Sequence, residues 1–402
     1  MDKVTIASFN VKNLIGPDRE YYRFQSYTAE EYAWKEGWLA DQLLDMNADV
    51  VGLQEVFEED ALHAVLAETD ARAAALNAVS QPDRSKRYRG KVIFGKLAVH
   101  PYAGAALAFA PNAADNGVPG ARRPGVAVVS RLGFDGAPEV IQDLDEPLDI
   151  PFAPLRGMAA AEAGFFRLRR LSRPILKVRI PVGGHRITLF NCHLKSKLGE
   201  YITPPGADYA PESDLTRYDP LGRAMGSLRA AIRRMAEAWV LRRAIVAELQ
   251  AGHPVIALGD FNDGEHSVSS EIVAGEAPFR NYAWMLRHDA KDAGDRYSAE
   301  ENQQITGAVE ALRLHSAEKL FVRKSLRDMV YTAAFGGAFE SIDQIFLSRH
   351  FHPENPGRIG DMEYFSVFND HLTDGSHPEA PYNKLASDHG QIMAHLALRR
   401  GA

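Results

Sequence analysis

The stretch PVIALGDFND, residues 254–263, decides how this chain folds. Its apolar half, residues 254–258, is typical of a buried strand, so the acidic half falls at the carboxyl end of that strand. Because side chains alternate along an extended chain, Asp260 and Asn262 should share one face while Phe261 turns back to the core. Asp and Asn after a strand also form ordinary turns. An active site is favoured over a simple turn, because polar residues beside an apolar strand pattern recur elsewhere in the chain.

Polar residues of the same kind interrupt five further strand patterns. Each group lies beside a short apolar run, which predicts a position at the end of a strand. Side chains at the ends of strands are held by a rigid scaffold, the usual place for function. One active site can collect all six groups. The other five are Asn10, Gln54-Glu55, Asn191-Cys192-His193, Ser341-Ile342-Asp343 and Ser387-Asp388-His389.

Glu55 is the acidic residue that follows the apolar run 48–53. A carboxylate at the end of a buried strand is poorly placed as a solvated surface charge, because burying it unpaired is costly. A bound cation would offset that cost, and a partly exposed loop carboxylate is the alternative. Asn10 ends the first strand pattern in the same way, although a lone Asn there is usually a turn former.

The two histidines of these motifs are candidates for acid–base chemistry. Alternation places His193 on the same face as Lys195, and an imidazole beside a cation suits work on an anion. Asp388 and His389 are neighbours on an extended chain, so they cannot face the same way. His389 should therefore pair with another carboxylate, for which Asp343 is the candidate. Such a pair fixes the imidazole tautomer and raises its basicity.

Composition restricts the class of protein. The chain has 402 residues, of which 46% are apolar and 25% charged, as in ordinary soluble globular proteins. A net charge of −7 disfavours a uniformly basic nucleic-acid coat but leaves room for a local basic groove. The one cysteine, Cys192, excludes an intramolecular disulfide and a cysteine-rich zinc site. The strand pattern from Val4 follows no leader, and the apolar run 103–110 is too short to span a bilayer, so we expect a cytoplasmic protein without a membrane span.

Three segments between the motifs are predicted from composition. Residues 143–156 are acidic and rich in proline, which favours an irregular surface connection. Residues 202–222 contain Pro, Tyr and Asp and are predicted to form a long ordered loop or lid. Residues 223–249 show helical periodicity and are interpreted as an amphipathic covering helix with its arginines on the outer face.

A group of arginines precedes the strand pattern of residues 175–180. Four of them, Arg167, Arg169, Arg170 and Arg173, fall within seven residues. Arginine clusters bind phosphate, but they also form solvated faces, and residue type alone favours the solvated face.

Taken in order, the six motifs resemble the endonuclease/exonuclease/phosphatase superfamily, which includes deoxyribonuclease I, apurinic/apyrimidinic endonucleases, sphingomyelinases and inositol polyphosphate phosphatases. The resemblance covers residues 4–398 and is closest to bacterial nuclease-like members. It implies an α/β, four-layered sandwich in which two packed mixed β-sheets are flanked by helices, as in deoxyribonuclease I. Because the motifs extend from Asn10 to His389, we expect a single domain over residues 1–402, with a loop insertion at 202–222.

The resemblance also implies a metal site. Asn10 and Glu55 are similar to the family's magnesium-binding pair, with Asp388 as a further ligand. Oxygen ligands without thiolates suit Mg²⁺ or Mn²⁺. Some members carry an Asp two residues after the first-strand Asn, where this chain has Lys12, so that ligand is absent.

The catalytic roles are implied in the same way. His389, oriented by Asp343, resembles the base that activates or aligns the attacking water. Asp260 and Asn262 would hold that water and a phosphate oxygen, and His193 would stabilise the phosphate or protonate the leaving oxygen. A phosphodiester repels hydroxide, so a cation, imidazolium groups and amide donors must offset charge in the transition state.

Three hypotheses for function follow. The first is a metal-dependent phosphodiesterase acting on nucleic acid, with Lys195, Arg173 and Arg170 binding the substrate. The second is the same chemistry on a small or lipid phosphoester. The third is a catalytically silent binding protein of the same fold, which loss of a motif residue would favour, and no assigned motif residue is missing.

Overall fold

Two six-stranded mixed β-sheets pack face to face, with helices on both outer surfaces. The computed structural model describes residues 2–21, 25–78, 87–88, 91–92, 99–112, 122–151, 164–199, 216, 219–275, 287, 296–325, 331–374, 383 and 385–400. The predicted four-layered α/β sandwich is confirmed.

The strands alternate irregularly with the helices along the chain. In chain order they are β1 (Asp2–Leu14), β2 (Val50–Val56), β3 (Arg87–Tyr88), β4 (Lys91–Val92), β5 (Ala106–Ala110), β6 (Gly125–Ser130), β7 (Glu139–Pro151), β8 (Phe165–Val182), β9 (His185–His193), β10 (Val255–Asp260), β11 (Leu314–Ser316), β12 (Ala333–Phe335), β13 (Ala338–Glu340), β14 (Asp343–Ser348), β15 (Gly360–Phe368) and β16 (Gln391–Leu398).

The described helices begin where the sequence supplies a cap. Thr28 and Ser298 each form a capping box with a Glu three residues later, which satisfies free backbone N–H groups at the helix start. The helices are α1 (Ala29–Met46), α2 (Glu59–Ala78), α3 (Pro220–Gln250), α4 (Val268–Ala274), α5 (Ala299–Ala311) and α6 (Ala317–Ser325). None of the described helices combines the length and the apolar character needed to cross a bilayer.

The order of strands brings the polar motifs to one edge of the sandwich. The first sheet has the order β15-β16-β1-β2-β6-β5 and the second β11-β14-β10-β9-β8-β7. Each has a central parallel pair, β1 with β2 and β9 with β10, whose carboxyl ends point the same way. The antiparallel neighbours β16 and β14 begin at that edge. The motifs at the ends of β1, β2, β9 and β10 therefore lie at the same edge as the motifs at the starts of β14 and β16.

Three apolar layers hold the sandwich together. The inner faces of the two sheets form the first, from residues such as Ile6, Val178 and Leu258. The second lies between the first sheet and helices α1 and α2, and the third between the second sheet and α3. Burying each large aliphatic side chain contributes about 1.5–3 kcal/mol, so these layers supply the main driving force.

Polar side chains also join the two sheets inside the core. Gln54 on β2 donates from Nε2 to Oδ1 of Asn191 on β9, at 2.7 Å. The amide nitrogen of Asn191 in turn donates to the backbone carbonyls of Leu53 and Ala127, at 3.0 and 2.8 Å. Both amide side chains are fully buried. Asn191, which shares a face with His193, therefore fixes one sheet against the other instead of facing a ligand.

Two predicted segments differ from the structure. Residues 143–156 were expected to be irregular, yet strand β7 extends to Pro151 and pairs with β8, and residues 152–156 lie outside the described residues. Asp143 and Asp149 of β7 pair with Arg170 and Arg167 of β8, which the composition of the segment alone does not reveal. The predicted 202–222 loop lies mostly outside the described residues. Its end, from Pro220, is the first turn of α3, where Asp219 caps the helix.

Glu248 anchors the end of α3 to the second sheet. Its carboxylate accepts a hydrogen bond from Thr188 Oγ1 at 2.9 Å and pairs with Lys177 Nζ at 2.6 Å and His253 Nδ1 at 2.7 Å. Burial by itself would raise the pKa of Glu248, but hydrogen bonds from Lys177, His253 and Thr188 outweigh it and lower that pKa to about 2. The ionised carboxylate is therefore part of the fold.

Gly259→Ala should destabilise the protein where β10 approaches β9. Gly259 has φ +140°, and a Cβ there would lie 1.9 Å from the carbonyl oxygen of Cys192. Overpacking and backbone strain each cost about 1–3 kcal/mol, so we expect a loss above ~2 kcal/mol in urea unfolding. The control is Gly264→Ala, because nothing lies within 4 Å of a Cβ at that glycine. Equal midpoints for both variants would contradict the close approach.

Glu248→Gln should remove a stabilisation that depends on pH. A carboxylate whose pKa is depressed by folding stabilises the protein above its unfolded pKa, and the effect is lost as pH falls through the folded value. The variant should thus be about 1–2 kcal/mol less stable than the parent at pH 7. That difference should shrink as pH falls from about 4.5 toward about 2. Glu363→Gln, at an exposed ion pair with Lys3, is the control and should cost little. A pH-independent difference would exclude the ionised form as the cause.

Candidate active site

The buried carboxylate of Asp260 lies at the centre of the edge where the motifs meet. Only 1% of the residue is exposed. Its Oδ2 accepts a hydrogen bond from Asn10 Nδ2 of the opposite sheet, at 3.0 Å, and lies 3.3 Å from Nε2 of His193. The backbone N–H of Asn262 donates to Oδ1 of Asp260 at 2.7 Å, and the side-chain amide of Asn262 donates to Oδ2 at 3.2 Å. The predicted arrangement of Asp260 and Asn262 on one face, with Phe261 in the core, is confirmed.

Burial of Asp260 favours the protonated form of its carboxyl group. Burial raises the pKa of Asp260 to about 7, against the opposing effect of the His389 charge, and the Asp343 carboxylate acts in the same direction as burial. Nε2 of His389 lies 3.8 Å from Oδ2 of Asp260. Two ionisable groups this close titrate as a pair, so a proton can be shared between them near neutral pH.

His389 forms the predicted pair with Asp343. The carboxylate Oδ2 of Asp343 lies 2.9 Å from Nδ1 of His389, and this contact directs Nε2 toward Asn10 and Asp260. Burial alone would lower the pKa of His389, but the carboxylates of Asp343 and Asp260 outweigh it and hold that pKa well above its usual value. The imidazole is thus oriented and favours its charged form.

His193 has the opposite electrostatic character. It is 3% exposed, and its Nδ1 is buried without a hydrogen-bond partner among the described residues. Burial, with the positive charges of Arg173 and His389, holds the pKa of His193 well below its usual value. The ring is therefore neutral at pH 7 and offers hydrogen bonds without charge. The sequence led us to expect a positive charge on the imidazoles of both His193 and His389. The structure favours the charged form of His389 and the neutral form of His193.

Glu55 reaches the same region because strand β2 bulges. The pairing of β2 with β6 shifts between Gln54 and Val56, and Glu55 between them has φ +63°. Its Oε1 accepts from Asn10 Nδ2 at 3.2 Å and its Oε2 from the backbone N–H of Asn13 at 3.0 Å. Bulges redirect side chains beside active sites, and here one turns a carboxylate out of the ladder toward Asp260.

Backbone strain concentrates at this edge. A positive φ costs a residue other than glycine about 1–3 kcal/mol, so it persists only where the surroundings impose it. Of the described residues with this conformation, four lie in the site: Lys12, Asn13, Glu55 and Asn262. The others are Asp18 and Asn47. The fold therefore holds the polar edge in a strained conformation.

Asp388 is the most solvated of the predicted metal ligands. Its side chain is 51% exposed, and its Oδ2 lies 3.6 Å from Nζ of Lys12. The lysine found where some family members have an acid thus neutralises part of the acidic cluster. A different set, Asp260, Asp343 and His389, has ligand atoms within 4.8 Å of one another. Because Asp343 and His389 bind each other in that set, we interpret it as an acid–base group and keep Glu55 and Asn10 as the candidate ligands.

Lys35 is a buried cation beneath the site that the motifs did not indicate. It is fully buried on α1, and its Nζ donates to the carbonyl of Leu385 at 3.1 Å. Burial, helped by Lys12, lowers the pKa of Lys35 to about 7, and the nearby carboxylates of Glu55 and Asp388 act in the opposite direction. The sequence held a signal, because Lys35 falls on the apolar stripe of its helix.

The predicted substrate-binding residues separate into different environments. Arg173 donates to the carbonyl of Leu194 at 3.4 Å, beside His193, and its Nε is buried without a partner among the described residues. Arg170 pairs with Asp143 on β7. Lys195 lies beyond the end of β9, and its Nζ donates to Ser196 and Leu198, while its positive charge also acts on His193.

Comparison with solved structures finds similar chains at low sequence identity. TDP2 from Caenorhabditis elegans has 15% identity and a TM-score of 0.45, with 98% of this chain and 74% of that chain covered. A family protein from Bacteroides thetaiotaomicron has 12% identity and a TM-score of 0.44, over 99% and 98% of the chains. The human Nocturnin catalytic domain with bound sulfate has 12% identity and a TM-score of 0.42, over 99% and 95%. No curated protein matches.

Comparison with protein families gives a match that extends over nearly the whole chain. The Endonuclease/Exonuclease/phosphatase family matches residues 7–389. This range includes every strand of the second sheet and every motif from Asn10 to His389, and of the first sheet it leaves out only the start of β1 and strand β16. The chain belongs to the endonuclease/exonuclease/phosphatase family.

Proposed function

We propose that the protein is a divalent-metal-dependent phosphodiester hydrolase with a nuclease-like substrate. Members of the family are generally phosphoester hydrolases and typically use divalent metals. One observation carries the assignment: the buried Asp260 carboxylate contacts Asn10, His193 and Asn262 within 3.3 Å, with the His389–Asp343 pair beside it. We also propose a single domain over residues 1–402, because both sheets contribute to this group.

The donor set fits a hard cation. Glu55 and Asp260 each direct a carboxylate oxygen at the same amide nitrogen of Asn10, at 3.2 and 3.0 Å, so negative charge converges on a small region. The one thiol, Cys192, is buried in the core, and oxygen ligands favour Mg²⁺ or Mn²⁺. We propose that Glu55 and Asn10 hold the ion, and that Asp388 joins them by leaving Lys12. When bound, the ion would offset negative charge on the phosphate.

The remaining residues divide the proton chemistry. Asp343 holds the His389 ring so that Nε2 faces Asp260. We propose that His389 and Asp260 act together as the base: one proton stays on the imidazole, which aligns the attacking water, and the Asp260 carboxylate accepts the proton of that water. Asn262 supports this proton transfer, because its two hydrogen bonds to Asp260 fix the orientation of the carboxylate. We propose that neutral His193 donates a hydrogen bond to a phosphate oxygen or to the leaving oxygen, and that Arg173 adds positive charge nearby.

Substrate identity is the least constrained part of the proposal. A small or lipid phosphoester remains the alternative, because the same chemical group serves any phosphodiester. Turnover of DNA, RNA, sphingomyelin, inositol phosphates and bis(p-nitrophenyl) phosphate, each with Mg²⁺, Mn²⁺ or chelator, separates these classes. Cleavage of nucleic acid in preference to the lipids and inositol phosphates supports the nuclease-like assignment.

Glu55→Gln should reduce hydrolysis of bis(p-nitrophenyl) phosphate by at least about 100-fold, because it removes the charge proposed to hold the ion. Excess Mg²⁺ should restore only part of the activity, and Mn²⁺ binding, followed by calorimetry, should weaken in parallel. Glu59→Gln is the matched control, since Glu59 lies on the exposed start of α2. Full activity of the parent protein in chelator would exclude the metal-dependent mechanism.

His389→Ala and Asp343→Ala should each lower kcat/KM by about 10²–10⁴-fold, the usual contribution of a positioned base. Because one residue acts through the other, the double variant should be little worse than either single variant. The double-mutant cycle is measured from kcat/KM of all three variants and the parent on one substrate. Thermal unfolding checks that each variant is folded. If the two losses multiply, the pair does not act as a unit.

A further inference from the structure

A basic cavity of about 420 Å³ lies beside the proposed catalytic edge, between strand β8 and helix α3. Five cationic side chains line it, and the described residues of its lining include no Asp or Glu. Apolar residues such as Phe166 and Leu171 complete its wall. The cationic residues are Arg123, Arg170, Lys195, Arg229 and Arg233.

Helix α3 supplies two of these cations from one face. Gly226, Arg229, Ala230 and Arg233 all line the cavity and are spaced three or four residues apart, as neighbours on a helix surface are. Arg229 and Arg233 are like charges one turn apart, an arrangement that destabilises a helix. These arginines were expected on the polar outer face of a covering helix. Arg229 is exposed and Arg233 is half-buried, and both line the cavity. Their placement suits a ligand with negative charge.

Two acids lie near the cavity. Glu237, almost fully buried beneath it, lies 3.3 Å from Nε of Arg233, and Asp143 pairs with Arg170. Nη2 of Arg170 is buried without a hydrogen-bond partner in the described part of the chain. Guanidinium groups match the oxygens of phosphate, which favours a phosphate group as the ligand.

Glu237 also ties the cavity to the catalytic edge. Its carboxylate accepts the backbone N–H of Ser172 at 2.7 Å and that of Lys195 at 2.9 Å. Lys195 follows His193 by two residues, which in an extended chain is about 7 Å. The carbonyl of Leu194 between them accepts hydrogen bonds from Arg173 and from Asn262. A substrate that reaches both places must therefore be longer than a single phosphate.

We propose that this cavity binds a second phosphate of the substrate, next to the one that is hydrolysed. The inference rests on the proposed phosphodiesterase function and narrows its substrate to nucleotide chains or other diesters that carry a further phosphate. Arg229, Arg233 and Arg170 would contact that phosphate, with Lys195 between the two positions. None of them touches the reacting phosphorus, so they act in binding and specificity rather than in the chemical step.

The test compares nucleotide esters that differ only in a second phosphate. The substrates are the p-nitrophenyl ester of thymidine 5′-phosphate with and without a 3′-phosphate, and the ester of thymidine 3′-phosphate with and without a 5′-phosphate. With the full chain and Mg²⁺ or Mn²⁺, the second phosphate should lower KM by about tenfold or more in one of the two pairs, since one charged hydrogen bond supplies that much. The value of kcat should change little, as expected for uniform binding.

The variant that carries the test is Arg229→Gln combined with Arg233→Gln. It should lose the KM advantage of the second phosphate while its turnover of bis(p-nitrophenyl) phosphate stays within about twofold of the parent. Arg243→Gln is the matched control, because Arg243 is exposed on the same helix and contacts Trp239 instead of the cavity. An advantage that survives in the double variant, or no advantage in either ester pair, would overturn the inference.

A binding measurement separates this inference from the proposed function. Calorimetry with the full chain compares thymidine 3′,5′-bisphosphate with thymidine 5′-phosphate and thymidine 3′-phosphate. Tighter binding of the bisphosphate that depends on Arg229 and Arg233 supports the cavity even if no ester is hydrolysed. Hydrolysis of the esters without such a preference supports the phosphodiesterase and excludes the second-phosphate site.

Discussion

The hydrogen bond between Asn10 and Asp260 is the contact on which the site depends. It joins the first sheet to the second at 3.0 Å, at the edge where the central strands of both sheets end. Asp260 is held by Asn262 on one side and faces His193 and His389 on the other. Packing of the apolar layers brings the strands together, and this polar contact fixes how their ends face one another.

Burial and the neighbouring charges explain the electrostatics of this edge. A carboxylate withdrawn from water favours its protonated form, while the paired imidazole of His389 favours its charged form. Buried polar networks of this kind are costly to stability unless every partner is present. The strained backbone at Glu55 and Asn262 adds to that cost. Such a concentration of strain and perturbed pKa values is characteristic of functional sites rather than of structural cores.

The fold was predicted from the family resemblance of the ordered motifs, and the central group from the periodicity of the strands. Alternation in strands was sufficient to bury Phe261 and Cys192 and to exclude a common direction for Asp388 and His389. It failed where long-range contacts decide the outcome. Residues 143–151 join the second sheet as the end of β7, where Asp143 and Asp149 pair with Arg170 and Arg167 of β8. Arg233 lines a cavity because of how helix α3 packs against the sheet, and residue type alone does not predict that packing.

Replacement of Asp260 by Asn is the most direct test of the account. The change is nearly isosteric, but it removes the buried charge and one of the two acceptor oxygens, so the variant should lose no more than about 3 kcal/mol of stability relative to the parent. Hydrolysis of bis(p-nitrophenyl) phosphate with saturating Mn²⁺ should fall by at least about 100-fold, because the carboxylate is proposed to take part in proton transfer. A folded Asp260→Asn variant that retains the turnover of the parent would contradict the central role assigned to this carboxylate.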